Sequence, residues 1–166
     1  MDGQGWPEHC FKAYDIRGIA GSELTEKFAH RLGLSLATYL DVDSMVVGRD
    51  IRNSSPELAI ALMDGLSAGG VDVLDIGVVP TGCLYHAVWN LPVHGGVMVT
   101  ASHLSMRTYN GFKICDGNLP LAGERMDELK QVFLKGEFKD GIGSILKADH
   151  SETWMNDIID SVGPLE

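Results

Sequence analysis

The chain of 166 residues is short of the features that most often announce a function class. Its three cysteines, Cys10, Cys83 and Cys115, are odd in number and widely spaced with no Cys-x-x-Cys pair, so they read as reduced thiols in or near the core. No apolar run approaches the roughly 20 residues needed to cross a bilayer. The opening Met1-Asp2-Gly3-Gln4-Gly5 lacks a signal peptide's charged and apolar regions, so no membrane association and a cytoplasmic location are expected. Basic residues are scarce: 13 Lys and Arg face 23 Asp and Glu, a net charge of -10, which argues against nucleic acid as a partner. Glycine is plentiful at 20 residues, yet no Gly-x-Gly-x-x-Gly opens a helix after the first strand and no Gly-Lys-Ser/Thr follows a glycine-rich stretch. Gly65-Leu66-Ser67-Ala68-Gly69 has the Gly-x-Ser-x-Gly spacing but closes a helical run instead of forming a strand-to-helix elbow, which makes a serine hydrolase the weakest of the enzyme readings.

What remains is an ordinary globular composition, 45% hydrophobic and 22% charged, in a length that suits one domain with a real core. Phe28, Leu32, Leu36 and Leu40 recur at i+4 and predict an amphipathic helix from Thr25 to Leu40. Met45-Val46-Val47 reads as a strand ending at Gly48. Ser55-Pro56-Glu57 then supplies an N-cap, a first-turn proline and an acidic first turn, and Gly69-Gly70 closes that helix. Val71 to Val79 is the next strand, Thr81 to Trp89 a short helix, Gly95 to Thr100 a buried strand, Gly111 to Cys115 a return strand and Gly123 to Leu134 a helix. Alternation of strands and helices predicts a three-layer α/β/α fold on a small mixed, mostly parallel sheet. Thr100 and Gly111 are too close for a helical crossover, so the return strand should run antiparallel. After Lys135 the pattern loosens around Gly136, Gly141 and Gly143, and Trp154 to Val162 makes one more helical segment.

The chemistry concentrates in Val99-Thr100-Ala101-Ser102-His103 and the Tyr109-Asn110-Gly111-Phe112-Lys113 that follows. α/β sheets bind ligands beyond the carboxyl ends of their strands, so Ser102 should stand at a ligand edge with His103 beside it. A serine, an imidazole and the Lys113 ammonium on one loop suit an anionic substrate such as a phosphate ester. Arg17, Arg49, Arg52 and Arg107 add cations at predicted loop edges. Arg49 and Asp50 read either as a structural ion pair or as site residues, and Asn53-Ser54-Ser55 as a helix start. His30, His86 and His94 have no such context and read as structural or surface residues.

Phe11-Lys12-Ala13-Tyr14-Asp15-Ile16-Arg17-Gly18, Val47-Gly48-Arg49-Asp50-Ile51-Arg52-Asn53-Ser54-Ser55 and Gly77-Val78-Val79-Pro80-Thr81 precede Thr100-Ala101-Ser102-His103 in the order found in the α-D-phosphohexomutases. From about Phe11 to about Val132 the chain resembles the first domain of a phosphomannomutase/phosphoglucomutase. The resemblance implies transfer of phosphate between the 1- and 6-positions of a hexose phosphate through a phosphoserine, an isomerase reaction primed by a hexose 1,6-bisphosphate. Ser102 would carry the phosphate, with His103 and Lys113 as catalytic neighbours and Tyr14 and Arg17 toward substrate and phosphate; Arg107, outside the family motif in the altered loop, is expected to be able to swing toward the phosphate. Magnesium would bind through the Ser102 phosphate, its other ligands coming from the remaining domains of the same polypeptide. The resemblance thus divides the chain into a phosphoserine domain, 1–135, and a linker and helix, 136–166, leading toward a second domain. It implies that this chain alone is inactive.

Two departures stand beside these matches. The family's Ser-His-Asn-Pro is replaced by Ser102-His103-Leu104-Ser105, which lengthens the loop by one residue and removes a proline that restricts the backbone. The family's metal, sugar and distal-phosphate motifs do not occur in these residues. The rival expectation is therefore a phosphosugar-binding or regulatory protein that keeps the fold without turnover.

Overall fold

A computed structural model describes residues 5–163. Its strands are β1 (Ile16–Ile19), β2 (Ser44–Arg49), β3 (Asp72–Val78), β4 (Gly95–Val99), β5 (Tyr109–Asp116), β6 (Leu119–Pro120) and β7 (Ile145–Lys147). The helices are α1 (Glu26–Leu40), α2 (Ser55–Ala68), α3 (Thr81–Asn90), α4 (Glu124–Lys135) and α5 (Ser151–Val162). All strands join one sheet in the order β1-β5-β4-β2-β3-β7, with β6 folded onto β5. β2 runs parallel to β3 and β4, and β3 to β7; β5 runs antiparallel to β4, β1 and β6. The return strand is antiparallel, as the short connection after Val99 requires. Parallel and antiparallel pairings are evenly matched rather than mostly parallel, because β1 and β6, too short to show a pattern, both pair with β5.

Neighbouring residues on the central strands point to opposite faces, and both faces are covered. On one side Val47, Val97, Val99, Phe112 and Ile114 pack under Phe28 and Leu32 of α1, Leu62 and Leu66 of α2, and Leu129 and Phe133 of α4. On the other, Val46, Met98 and Cys115 meet Cys83, Leu84, Ala87 and Val88, with α3 as the cover. Trp154 of α5 packs against this second cluster, giving three layers. The cysteines are free and buried as expected, and burial pushes the Cys115 thiol up to about 11.

Two details differ from the pattern reading. Ser55 is not the cap of α2: it lies inside the first turn, Ser54 precedes it without a side-chain capping bond, and the Ser55 hydroxyl goes to Asp50 instead. The glycine-interrupted stretch after Lys135 is laid along the end of α2, where Gly141 N–H donates to Ala68 O and Gly143 N–H to Ser67 O, before β7 adds to β3. Part of the stretch expected to be linker therefore belongs to the sheet. Three residues are too few for a strand period to show.

α1 and α2 cross backbone to backbone at two glycines. A Cβ on Gly33 would stand 2.3 Å from Leu62 O, and one on Gly65 would stand 2.0 Å from His30 O, so neither helix accommodates a methyl there without moving. Overpacking of this kind costs about 1–3 kcal/mol. Gly65→Ala should lower the thermal midpoint by several degrees in calorimetry, whereas Gly5→Ala, with open space around it, should leave it unchanged.

Candidate active site around Ser102

β4 carries the chain to the carboxyl edge of the sheet, where it turns at Ser102 with φ of 57°. That left-handed conformation costs a serine of order 1–3 kcal/mol unless its surroundings hold it there. They do. Ser102 N–H donates to Thr100 Oγ1 at 3.0 Å, and Thr100 donates in turn to Asp50 Oδ2 at 2.7 Å. From the end of β2, Arg52 reaches under the loop: Nη2 donates to Ser102 O at 2.8 Å, and Nη1 to Ser105 O at 2.9 Å and Tyr109 O at 3.1 Å. Its Nε donates to Asp50 Oδ2 at 2.8 Å, so the charge is paired where it is buried. Three inward-turned carbonyls are thereby satisfied by one guanidinium that is only 2% exposed.

Asp50 is the other half of this arrangement. Burial opposes its charge, but hydrogen bonds from Ser55 at 2.6 Å, from Thr100, and from the backbone and side chain of Arg52 outweigh it and hold the carboxyl below the usual carboxylate range. Asn110, fully buried, extends the network: its Nδ2 donates to Ser54 Oγ at 2.8 Å and Ser55 Oγ at 3.0 Å, and Gly111 N–H donates to its Oδ1. The Ser102 loop is thus tied to the first turn of α2 from below. Ser102 and His103 themselves are exposed on top, and His103 makes no hydrogen bond or ion pair among the described residues.

A second cluster lies two strands away. Asp15, 2% exposed, accepts from Arg17 Nε at 2.7 Å, and Lys113 Nζ lies 3.5 Å from the same oxygen. Both cations lie over the exposed Tyr14 ring, Arg17 at 6.0 Å and Lys113 at 5.8 Å from its centre. Two cations against one carboxylate leave local positive charge in an acidic protein. Arg17 pairs with Gly111, whose carbonyl accepts from Thr100 N–H, so Arg17 and Thr100 stand level at the sheet edge, about 10 Å apart at the usual strand spacing. Gly111 makes this packing possible: a Cβ there would stand 2.4 Å from Ile16 O and 3.3 Å from Arg17 Cγ. A cavity of about 430 Å³ opens beside this cluster, lined by Tyr14, Arg17, Leu104, Tyr109, His9 and Glu23 among others.

The structure therefore groups Tyr14, Arg17 and Lys113 around Asp15, and puts Ser102 and His103 on the neighbouring loop. Arg107 lines a different cavity, about 360 Å³, with Asn53, Ser54 and Glu57 between the starts of α1 and α2. Arg49 does not pair with Asp50; it lines a third cavity with Asp75 and Lys147. Pattern reading placed Arg52 among the loop-edge cations available to a phosphate and missed its structural role. The available signal was Asp50-x-Arg52 directly after a buried strand, a spacing that lets one turn pair its own charges. Near Ser102, Asp50 and Asp15 are both engaged by protein donors, so these residues offer a hard cation the serine oxygen but no free carboxylate.

Asp50→Asn should leave Arg52 buried and unpaired and lower stability by about 3–5 kcal/mol, measured by denaturant unfolding at neutral pH. Because the folded Asp50 pKa is depressed, its stabilisation is fully present above the unfolded carboxylate value of about 3.9 and is lost as pH falls through the folded value. Wild type should lose stability in that acid range more steeply than the Asn variant.

Residues 8–140 match the family model described as phosphoglucomutase/phosphomannomutase, alpha/beta/alpha domain I. The phosphomannomutase of Salmonella typhimurium is 44% identical over 131 residues, covering 78% of this chain and 28% of that protein. The phosphomannomutase/phosphoglucomutase of Pseudomonas aeruginosa is 37% identical over 159 residues, 94% of this chain and 34% of the relative. A crystal structure of a phosphoglucomutase/phosphomannomutase family protein from Burkholderia thailandensis superposes with a TM-score of 0.86 at 36% identity, over 91% of this chain and 35% of the other. The chain thus spans about a third or less of the length of these relatives. With a family model over most of its length and the same fold in a solved relative, the chain belongs to the phosphoglucomutase/phosphomannomutase family and carries its α/β/α domain I.

Proposed function

We propose that this domain supplies the phosphoserine half of a phosphohexomutase site in a longer polypeptide, and that Ser102 carries the phosphate. The observation that supports this most is the exposed Ser102 hydroxyl on a loop whose backbone is fixed from below, beside a net-positive cluster of Arg17 and Lys113. In the proposed reaction the bond from Ser102 Oγ to phosphorus breaks as a sugar hydroxyl forms its own bond to that phosphorus; the hydroxyl proton passes to solvent while His103 protonates the departing serine oxygen. The bisphosphorylated hexose then returns its other phosphate to Ser102. His103, free of partners, accepts or returns the serine hydroxyl proton, and Arg17 and Lys113 offset the phosphate charge. Tyr14 presents its ring at the rim of the cavity, and Arg107, exposed and unpaired on the neighbouring cavity, would swing across the loop to reach the phosphate.

Magnesium, when bound, would neutralise phosphate charge, with the Ser102 phosphate as one oxygen ligand and the rest from outside this domain. A hexose 1,6-bisphosphate would load the serine, the partner would be a hexose phosphate, and the setting would be cytoplasmic. No helix among the described residues is long and apolar enough to cross a membrane. The helical end of the chain would lead toward a second domain, and the domain alone would not turn over, since positioning and charge stabilisation need the other parts.

Incubating the full-length protein with a hexose 1,6-bisphosphate and mapping peptides by mass spectrometry tests the reading. One phosphate should map to Ser102, Ser102→Ala should abolish turnover, and the isolated chain should show none in a coupled glucose 1-phosphate assay. Phosphate on Ser105, or full activity of Ser102→Ala, would overturn the assignment. A full-length protein that binds the sugar phosphate but never becomes phosphorylated would favour the non-catalytic reading.

A further inference from the structure

All three thiols are buried against the core, but Cys10, in a short 3-10 turn (Glu8–Cys10), also has polar donors beside it. Cys10 Sγ is 3.9 Å from Glu23 Oε2, and Glu23 Oε1 is 2.7 Å from His9 Nε2. One nitrogen, one sulfur and one carboxylate oxygen all lie within 4.8 Å of one another, the only such group of three among the described residues. We propose that His9, Cys10 and Glu23 form a binding site for a thiophilic divalent cation of the zinc class, with its open coordination position facing the cavity that Tyr14 and Arg17 line.

The donor set selects the class of ion. Thiolate and imidazole suit zinc and its neighbours, while magnesium and calcium call for all-oxygen surroundings. Zinc bonds of about 2.0–2.3 Å place tetrahedral ligand atoms about 3.5 Å apart, so the observed separations close with small side-chain shifts. Two of the three donors are already held. Glu23 Oε2 accepts from Ile19 N–H at 2.7 Å, and Cys10 is fixed by its N–H to Pro7 O. Gly18 leaves room for the sulfur, since a Cβ there would stand 2.6 Å from Cys10 Sγ. His9, exposed at the surface, is the donor free to adjust.

Thiolate and carboxylate balance the two charges of the ion, and the Cys10 S–H proton leaves to solvent as the metal–sulfur bond forms. Lys12 is the near cation, and its ammonium is engaged by His9 O at 2.5 Å. Three protein ligands and one open position are the pattern of a site that keeps a water or an exchangeable ligand. His9 and Glu23 also form part of the wall of the cavity of about 430 Å³, so an occupied site would narrow the approach to Tyr14 and Arg17. None of this depends on Ser102 or on its phosphorylation.

Cobalt(II) titrated into the reduced chain reads the site directly, because thiolate ligation gives a charge-transfer band in the near ultraviolet. One equivalent should produce the band, and zinc(II) should displace it. Cys10→Ser should remove it, Cys83→Ser and Cys115→Ser should keep it, and His9→Gln or Glu23→Gln should weaken binding by about tenfold or more. Zinc should raise the melting midpoint of the wild type and not of His9→Gln, an exposed position whose variant tests the site even if Cys10→Ser fails to fold. No band at one equivalent, or a band that persists in Cys10→Ser, would overturn the proposal.

Discussion

The candidate site depends on a single guanidinium under the Ser102 loop. Arg52 is buried, paired with Asp50, and donates to the carbonyls of Ser102, Ser105 and Tyr109. A loop that turns its carbonyls inward has few ways to satisfy them, and unsatisfied buried carbonyls are costly. Arginine suits the task because its planar fork serves several acceptors at once and keeps its charge. Removing either partner of the pair strands the other in a dry interior.

The rest of the site follows from where the sheet puts this pair. β2 ends beside β4, so Asp50 and Arg52 emerge directly under the turn that β4 feeds. Thr100 and Ser55 complete the carboxylate's shell, and Asn110 ties the start of β5 to α2. A left-handed Ser102 is tolerated because its N–H and its C=O are both held by this network. The loop lacks the proline that would otherwise narrow its backbone, and in this chain the restraint comes from side chains of the neighbouring strand. The cationic cluster of Arg17 and Lys113 is held independently, by buried Asp15 and by the room that Gly111 leaves beside β1.

Much of this architecture was legible in the residues. The i+4 leucines of α1, the glycine stop of α2 and the buried run before Ser102 mark elements long enough for their periods to show. β1, β6 and β7 escaped because strands of two to four residues carry no usable alternation and owe their pairing to neighbours. The serine, its loop and the Asn-Gly-Phe-Lys strand stood out through order and spacing. Arg52 did not: a cation at a loop edge reads as available to an anionic ligand until the fold shows which carbonyls turn toward it. Ser55 misled for a related reason, since a helix-start serine caps its own helix unless a carboxylate competes for its hydroxyl.

The claim that Arg52 shapes the loop meets its most direct test in amide hydrogen exchange of the wild type and Arg52→Lys. Lysine keeps a charge near Asp50 but lacks the fork that spans three carbonyls. The account predicts faster exchange at Leu104, Thr108 and Tyr109, whose N–H groups donate within the loop, with β2 and β4 unchanged. Unaltered protection across 101–109, or a uniform loss over the whole sheet, would contradict it.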